Sequence, residues 1–430
     1  EAGFSRGAEN VDNRNSQAIT GLTLKTLWNE KFYSLTTLSG VQNNYFAEVY
    51  ENPGRDVFFT NDSREAEYTA KSDMVWNILP QVSLDFGASV KMTRFDYDVL
   101  GDPDTLFLYD PTSSNPDSAI GIFRTYPEYR IDKATDSYKT GLYIQSTFDL
   151  GQRWRFTAGV RHDYFDYNRF SSISPRFGIS YLLAAGTTLN LAYGRHFQTP
   201  AYLEFASNEL NRDLESKYND QVVAGIDLLW RDDLKTTLEI FYKEYQNVPV
   251  NRTLTTTDPF DYDDGRFVNA GSGKSRGFEL FLQKKLVKRF STIFSYSYSE
   301  TESLDPRFNT YYPSDYDYRH VVNFLAGYKY PFRNDSWYQS MSDNIWFKIF
   351  AWLPFLPADE MEISLKFRYM GGRPYTPPVY RAELKEWIVE EQQQLNTLRY
   401  PVYHRLDVRI DRRFIFDRWN MVLFFDLVNI

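Results

Sequence analysis

Three things are missing from this 430-residue sequence: cysteine, long apolar runs and an excess of positive charge. The lack of cysteine excludes thiolate catalysis, disulfide bonds and cysteine-ligated metal sites. No window approaches the roughly 18 to 20 consecutive apolar residues that a membrane-spanning helix requires. The 48 basic and 57 acidic side chains give a formal charge of −9, so a nucleic-acid partner bound through general basicity is excluded as well.

Aromatic residues, in contrast, are abundant. The 33 Tyr, 34 Phe and 9 Trp make up 18% of the chain, yet the mean hydropathy is −0.51. A chain with so much apolar material and a negative mean hydropathy must mix apolar and polar residues finely. That composition favours strands whose two faces differ in chemistry.

Period-two alternation is clearest in RLDVRIDRRF, residues 405–414. The two faces of a strand formed here are Arg405, Asp407, Arg409 and Asp411 on one side and Leu406, Val408 and Ile410 on the other. Segments 81–93 and 361–369 alternate in the same way. About sixteen such segments occur along the chain, which predicts an all-β protein of about sixteen antiparallel strands.

The connections between these segments alternate between short and long. Residues 151–152 and 231–233 are short connections, whereas 99–133 and 373–401 are long ones. Short periplasmic turns and long extracellular loops are typical of a transmembrane β-barrel with an apolar outer band and a polar lumen. The sequence therefore predicts a transmembrane antiparallel β-barrel, and a large soluble barrel or sandwich is the alternative.

The charged positions of these strands are expected to face the lumen, because an Arg or Lys side chain at the bilayer midplane costs about 2–4 kcal/mol. The predicted lumen-facing residues are Glu279, Glu362, Lys366, Arg368, Arg405, Asp407, Arg409 and Asp411. Arg412 falls on the lipid side of this register. We expect it near the periplasmic interface, where its long side chain reaches water.

One connection on the short side is unusual. Residues 331–360 contain NIWFKIFAWLPFLP, in which apolar residues recur at helical spacing until Pro354. Ser342 and Asp343 are the predicted caps of this helix. The segment predicts a periplasmic-side insert with a short amphipathic helix on the membrane surface, and docking of a periplasmic partner is the alternative.

The candidate ligand-binding residues lie in long loops. They are Asp261, Tyr262, Asp263 and Arg266 in one loop and Tyr311, Tyr312, Arg373 and Tyr375 in two others. Aromatic faces with arginine suit a ferric chelate, an oligosaccharide or a peptide about equally. The carboxylates of Asp261, Asp263 and Asp264 could chelate Ca²⁺, although such a run is more often a solvated turn.

Other motifs predict no catalytic group, metal or cofactor. GSGKS at 271–275 has Val268 where a phosphate-binding loop requires glycine. The four histidines lie on separate strands without the spacing of metal ligands. A barrel hydrolase that uses His320 beside Asp315 and Asp317 is the enzymatic alternative, but the sequence predicts no enzyme.

Four segments, in the expected order, resemble the barrel of TonB-dependent outer-membrane receptors, especially the type common in Bacteroidota-like bacteria. They are SPRFGISYLLAAGTTLNLAYGRHFQTPAYLEF (174–205), FVNAGSGKSRGFELFLQ (267–283), RYMGGRPYTPPVY (368–380) and YHRLDVRIDRRFIFDRWNMVLFFDLVNI (403–430). The resemblance implies active uptake of a large, scarce ligand through a plugged barrel of about twenty-two strands in the outer membrane of a Gram-negative bacterium. The implied partners are outer-membrane lipid, the plug domain and a TonB-type energy-coupling protein, while a surface lipoprotein remains open.

The resemblance also predicts that residues 1–430 form part of a larger barrel. If the long loops are extracellular, both ends of a sixteen-stranded segment lie outside, whereas family members keep both ends in the periplasm. About five strands and the plug are then expected before Glu1, and one closing strand after Ile430. A passive sixteen-stranded diffusion porin closed on itself is the alternative.

Overall fold

The computed structural model describes residues 9–430 except for 53, 116–117, 257–262, 352, 354–355 and 390–393. Its main feature is one antiparallel sheet in which sixteen main strands each pair with the next along the chain. The strands are β1 Glu9–Asn29, β2 Phe32–Glu51, β3 Val57–Leu79, β4 Val82–Gly101, β5 Tyr129–Leu150, β6 Trp154–Phe165, β7 Phe170–Ala184, β8 Thr187–Gln198, β9 Lys217–Arg231, β10 Leu234–Asn251, β11 Phe267–Val287, β12 Phe290–Asp305, β13 His320–Tyr330, β14 Glu360–Met370, β15 Tyr403–Ile415 and β16 Asn420–Leu427. The all-β antiparallel prediction is confirmed, and about sixteen strands was the right number.

Short strands and helices lie in the connections between the sixteen main strands. A seventeenth strand of the sheet, Thr310–Pro313, pairs with the end of β12. Three small hairpins lie outside the sheet: Asp104–Tyr109 with Ala119–Tyr126, Pro374–Tyr375 with Leu398–Arg399, and Val379–Arg381 with Glu386–Ile388. The helices are α1 Tyr202–Ala206, α2 Ser336–Ser342 and α3 Ile345–Phe350, with 3₁₀ turns at Glu209–Asp213, Arg252–Thr255 and Phe332–Asn334. None of the described helices is long and apolar enough to cross a membrane.

The two ends of the sheet differ in the length of their connections. At one end, which we call the short-turn end, seven of the eight connections have two to four residues, and the exception is the insert 331–359. At the opposite, long-loop end, the connections include 102–128, 199–216 and 371–402. Residues 52–56 and 166–169 are short connections at that end, so the alternation of lengths is strong but not strict.

Cross-strand register gives the sheet two faces of different chemistry. We call the face that carries Arg409 the inner face and the face that carries Ile410 the outer face. Polar groups dominate the inner face, where Glu279 lies opposite Glu239 on β10 and Ser297 on β12. Successive side chains of a strand point to opposite faces, so each strand contributes alternate residues to the two faces.

Apolar groups dominate the outer face. Leu280 lies opposite Leu238 and Tyr296, one residue away from the polar row on the inner face. Many outer-face side chains are exposed, including Leu38, Leu142, Val160, Leu191 and Ile240. An uncovered apolar surface of this extent is the signature of a face that meets an apolar environment.

Tryptophan is concentrated at the short-turn end. The chain has nine Trp, and seven that the structure describes lie at or next to a short-turn connection: Trp28, Trp76, Trp154, Trp230, Trp337, Trp346 and Trp419. All seven side chains are exposed. Trp and Tyr gather where a membrane protein crosses the boundary between lipid and water. The short-turn end therefore carries one aromatic belt of a membrane-spanning wall.

The insert 331–359 contains two helices. The cap of α3 differs from the predicted pair Ser342 and Asp343: Asn344 is the cap residue, and its side chain accepts a hydrogen bond from the backbone N–H of Trp346 at 2.9 Å. Helix α2 was not predicted, because its Ser- and Gln-rich sequence lacks a continuous apolar stripe. The location of the insert on the periplasmic side stays a prediction.

Candidate ligand mouth and inner wall

One long connection folds back over the inner face. Residues 199–216, which we call the mouth loop, contain α1 and the 3₁₀ turn Glu209–Asp213. Three residues of this loop are buried: Phe205, Ala206 and Leu214. They pack in one cluster with inner-face residues of β4, β5 and β6 and with the 166–169 turn; these partners are Phe95, Tyr97, Val99, Ile131, Phe165 and Tyr167. The buried apolar cluster thus lies at the long-loop end of the inner face and holds the mouth loop against it.

Tyr202 fastens the start of this loop to the wall. Its ring stacks on Phe95, with centroids 5.2 Å apart and an interplanar angle of 9°. Its hydroxyl donates to the Glu67 carboxylate at 2.5 Å and accepts from Lys139 Nζ at 2.8 Å. Burial and the hydrogen bond to Glu67 raise the pKa of the Tyr202 phenol, so this tyrosine keeps its proton at neutral pH.

Asn211 fastens the mouth loop to the next long connection, 252–266. Its side chain is fully buried. Its amide nitrogen Nδ2 donates to the carbonyl of Gly265 at 2.8 Å and to that of Glu204 at 2.6 Å, while Oδ1 accepts from the N–H of Phe267 at 2.8 Å. A buried amide with its donors and acceptor satisfied makes the two loops one packed unit.

No pattern in the sequence singles out Asn211. It lies in the polar stretch SNELNRD, which resembles an ordinary solvated loop. The contact that defines its role joins residues more than fifty positions apart in sequence, and such contacts have no periodic signature. Only the fold, by bringing the two loops together, shows that this polar residue is buried.

The predicted acidic loop contributes turn contacts at its described end. Asp263 accepts a hydrogen bond from the N–H of Gly265 at 2.8 Å, and Asp264 accepts one from the N–H of Arg266 at 3.0 Å. Asp261 and Tyr262 lie outside the described residues. Within the described ranges, no group of three or more Asp, Glu or His side chains is arranged to hold a metal ion.

The other four predicted ligand residues lie on two further connections, 306–319 and 371–402, which we call the rim loops. Lys274 Nζ lies 3.8 Å from the centroid of the Tyr311 ring, and Tyr375 stacks on Tyr400 with centroids 4.4 Å apart. Burial, reinforced by the nearby Asp315 charge, raises the pKa of the Tyr312 phenol. The predicted residues therefore divide between two loop groups.

The rim loops are joined by arginine contacts. Arg373 Nε donates to the carbonyl of Asp315 at 3.2 Å. The buried Asp317 carboxylate accepts from Arg399 Nη2 at 2.5 Å and from Arg319 Nε at 3.0 Å. His320, in turn, lies 3.0 Å from the hydroxyl of Tyr296 through Nδ1. These described groups do not form the Asp–His arrangement that a barrel hydrolase requires.

The inner wall carries the charge ladder of β15, which comprises Arg405, Asp407, Arg409 and Asp411. Arg405 Nε lies 2.8 Å from Asp407 Oδ1, and Arg409 Nη2 lies 2.7 Å from Asp411 Oδ1. Arg409 also approaches Asp426 of β16 at 3.6 Å. The ladder alternates in sign along one strand, so neighbouring charges neutralise each other.

The neighbouring strand β14 extends the ladder. Glu362 lies opposite Asp411, and Lys366 lies opposite Asp407. Arg368, opposite Arg405, and Glu279 on β11 share the same face. The structure thus places all eight predicted lumen residues on the inner face. Eight ionic residues line an open cavity of about 690 Å³ there: Lys284, Lys285, Glu362, Lys366, Arg405, Asp407, Arg409 and Asp426.

Comparison with known families identifies this fold. The family model described as TonB dependent receptor-like, beta-barrel, matches residues 2–430. The chain belongs to this family. The receptor barrel is therefore a protein of the Gram-negative outer membrane, and its apolar outer face meets lipid. No curated protein matches it by sequence.

Solved receptors share the fold at low sequence identity. They include a mutant of the ferric enterobactin receptor PfeA from Pseudomonas aeruginosa (14% identity, TM-score 0.64, 97% of this chain and 56% of that chain). The siderophore receptor PiuA from Acinetobacter baumannii (13%, 0.62, 97% and 60%) and the ferric-catecholate import receptor Fiu from Escherichia coli (12%, 0.62, 98% and 60%) are similar in the same way. This receptor barrel thus spans less than two thirds of the length of these structures.

Asn211→Ala tests whether the two loops act as one unit. Loss of the buried amide should release the mouth loop and expose the peptide bond after Arg212, whose Nε now donates to the carbonyl of Tyr167. We expect several-fold faster trypsin cleavage at Arg212 on intact cells. Leu210→Ala, in the same 3₁₀ turn but exposed, is the matched control. Equal cleavage rates in the two variants would contradict the packed unit.

Proposed function

We propose that this receptor barrel is the wall of an active importer for a large, scarce ligand, and that the ligand is a ferric chelate. The observation that carries the proposal is the inner face itself, which combines a loop-covered mouth with a ladder of full charges. An inner face that is partly covered by a packed loop is poorly suited to passive flow. A dense ladder of ionic groups suits contact with another protein surface more than it suits contact with water alone.

The ferric chelate is favoured over the other two ligand classes by the comparisons. The similar structures include a ferric enterobactin receptor, a siderophore receptor and a ferric-catecholate import receptor. The loops of this chain offer chemistry of the right kind, since anionic, aromatic chelates suit arginine and tyrosine side chains. We assign capture of the chelate to Arg373, Tyr316 and Tyr375 on the rim loops and to Arg266 beside the mouth loop.

The partners follow from the same proposal. A plug domain would occupy the space in front of the charge ladder, and a TonB-type protein would displace it with energy from the inner membrane. Charged residues that are paired within the wall can pair with plug residues instead at a small cost in free energy. Each exposed ion pair contributes only about 0–1 kcal/mol to stability. Reversible contact with a plug therefore requires many weak ion pairs, and the charge ladder provides charged groups for them. A surface lipoprotein is a further partner that the sequence leaves open.

Uptake assays test the proposal directly. The full-length receptor should restore growth of a receptor-deficient strain on a ferric catecholate under iron limitation, and a protonophore should abolish uptake of the radiolabelled chelate. Oligosaccharides and peptides serve as competing ligand classes. Uptake of the chelate that continues without the proton gradient, together with a steady conductance in planar bilayers, would identify a diffusion porin instead.

A double substitution tests the role of the ladder. Arg405→Gln with Arg409→Gln in the full-length receptor should weaken plug seating, and susceptibility to large antibiotics should rise several-fold. Arg94→Gln is the matched control, because Arg94 makes a comparable pair with Asp136 (Nε to Oδ1, 2.7 Å) on the opposite face of the sheet. Unchanged permeability in the double variant, at equal surface abundance, counts against plug contact.

A further inference from the structure

Arg412 is the one position of β15 where a full charge points to the outer face. The sequence led us to expect a side chain that reaches water, but the residue is only 4% exposed. Its Nη2 donates to the carbonyls of Ala351 at 2.6 Å and Leu356 at 2.5 Å, both in the insert 331–359. The insert therefore folds onto the outer, lipid-facing side of the wall and covers this charge.

A second set of contacts fixes the insert at the same place. Tyr338 of α2 is buried, and its hydroxyl donates to Asp359 Oδ1 at 3.2 Å. Asp359 Oδ2 accepts from the backbone N–H of Ile415, at the end of β15, at 2.7 Å. Phe347 of α3 packs edge-on against Tyr338, with ring centroids 5.8 Å apart. The two helices are thus held as a defined unit rather than as a loose loop.

Four apolar side chains of α3 are uncovered. Ile345, Trp346, Ile349 and Phe350 are between 45% and 65% exposed. The rings of Trp346 and Phe350, one helical turn apart, stack with centroids 6.4 Å from each other. Exposed apolar clusters of this kind mark an interaction surface.

Three observations indicate that lipid covers this surface. It is continuous with the lipid-facing outer face, where Ile363 of β14 is also exposed. It lies at the short-turn end, within the belt of tryptophans that includes Trp337 and Trp419. The sequence of α3, IWFKIF, contains no acidic residue that an anionic lipid surface would repel.

We propose that residues 336–350 form an interfacial anchor whose α3 side chains enter the periplasmic leaflet of the outer membrane. Short amphipathic helices of this composition lie in the plane of the interface with the apolar side roughly 5–10 Å into the boundary of the acyl chains. The segment that follows the anchor holds β15 from outside, because the carbonyls of Ala351 and Leu356 accept hydrogen bonds from Arg412, while the charge ladder occupies the inner face of the same strand. The lipid contact is independent of the transported ligand, so it can stand even if the proposed function fails.

Site-specific labelling tests the anchor, because residues 1–430 contain no cysteine and any cysteine elsewhere in the full-length receptor can be replaced with serine. Ile349→Cys and the control Asp343→Cys, an exposed residue between the helices, would each carry an environment-sensitive fluorophore in the full-length receptor in phospholipid bilayers. Spin-labelled lipid should quench the label at 349 several-fold more strongly than the label at 343, and aqueous iodide should show the reverse order.

Two results would overturn the proposal. Equal iodide quenching at both positions would place α3 in water. Protection of the label at 349 from both quenchers would place it against a protein partner instead of lipid. Folding of each variant is checked by the heat-dependent shift of its band in gel electrophoresis, so a failure of assembly is distinguished from either result.

Discussion

The structure depends on one constraint: a chain that crosses hydrocarbon must pair its backbone polar groups internally while keeping full charges away from lipid. Sixteen strands paired in chain order satisfy the first requirement along their lengths. Alternation satisfies the second from Arg405 to Asp411, because a shift of one residue would turn Arg409 toward lipid and Ile410 toward the lumen. The register of β14, β15 and β16 is therefore set by charge as much as by hydrogen bonding.

The same constraint explains where the wall departs from regularity. At the long-loop end, water is available, and the mouth loop can fold inward because Asn211 and Tyr202 find polar partners there. At the short-turn end, the outward charge of Arg412 is tolerated because the carbonyls of the insert accept its hydrogen bonds. Both departures involve a polar side chain whose partner comes from another segment.

The strands and their faces could be predicted from the sequence, because period-two alternation is local and is repeated about sixteen times. The two-sided chemistry of 405–411 in particular required no knowledge of distant residues. The folded mouth loop, the Asn211 contacts and the cover over Arg412 could not be predicted, since each depends on contacts between residues far apart in sequence that carry no periodic signal. The predicted ligand residues were chosen by type, and type alone did not show that they divide between two loop groups.

The central claim is that the inner face of the wall meets water and the outer face meets lipid. A nitroxide scan along β15 in bilayers tests this claim most directly. Labels at successive positions from 405 to 410 report collisions with oxygen, which concentrates in lipid, and with a water-soluble nickel complex. The account predicts that the two accessibilities alternate out of phase, with oxygen highest at 406, 408 and 410. Oxygen maxima at 405, 407 and 409, or no alternation at all, would contradict it.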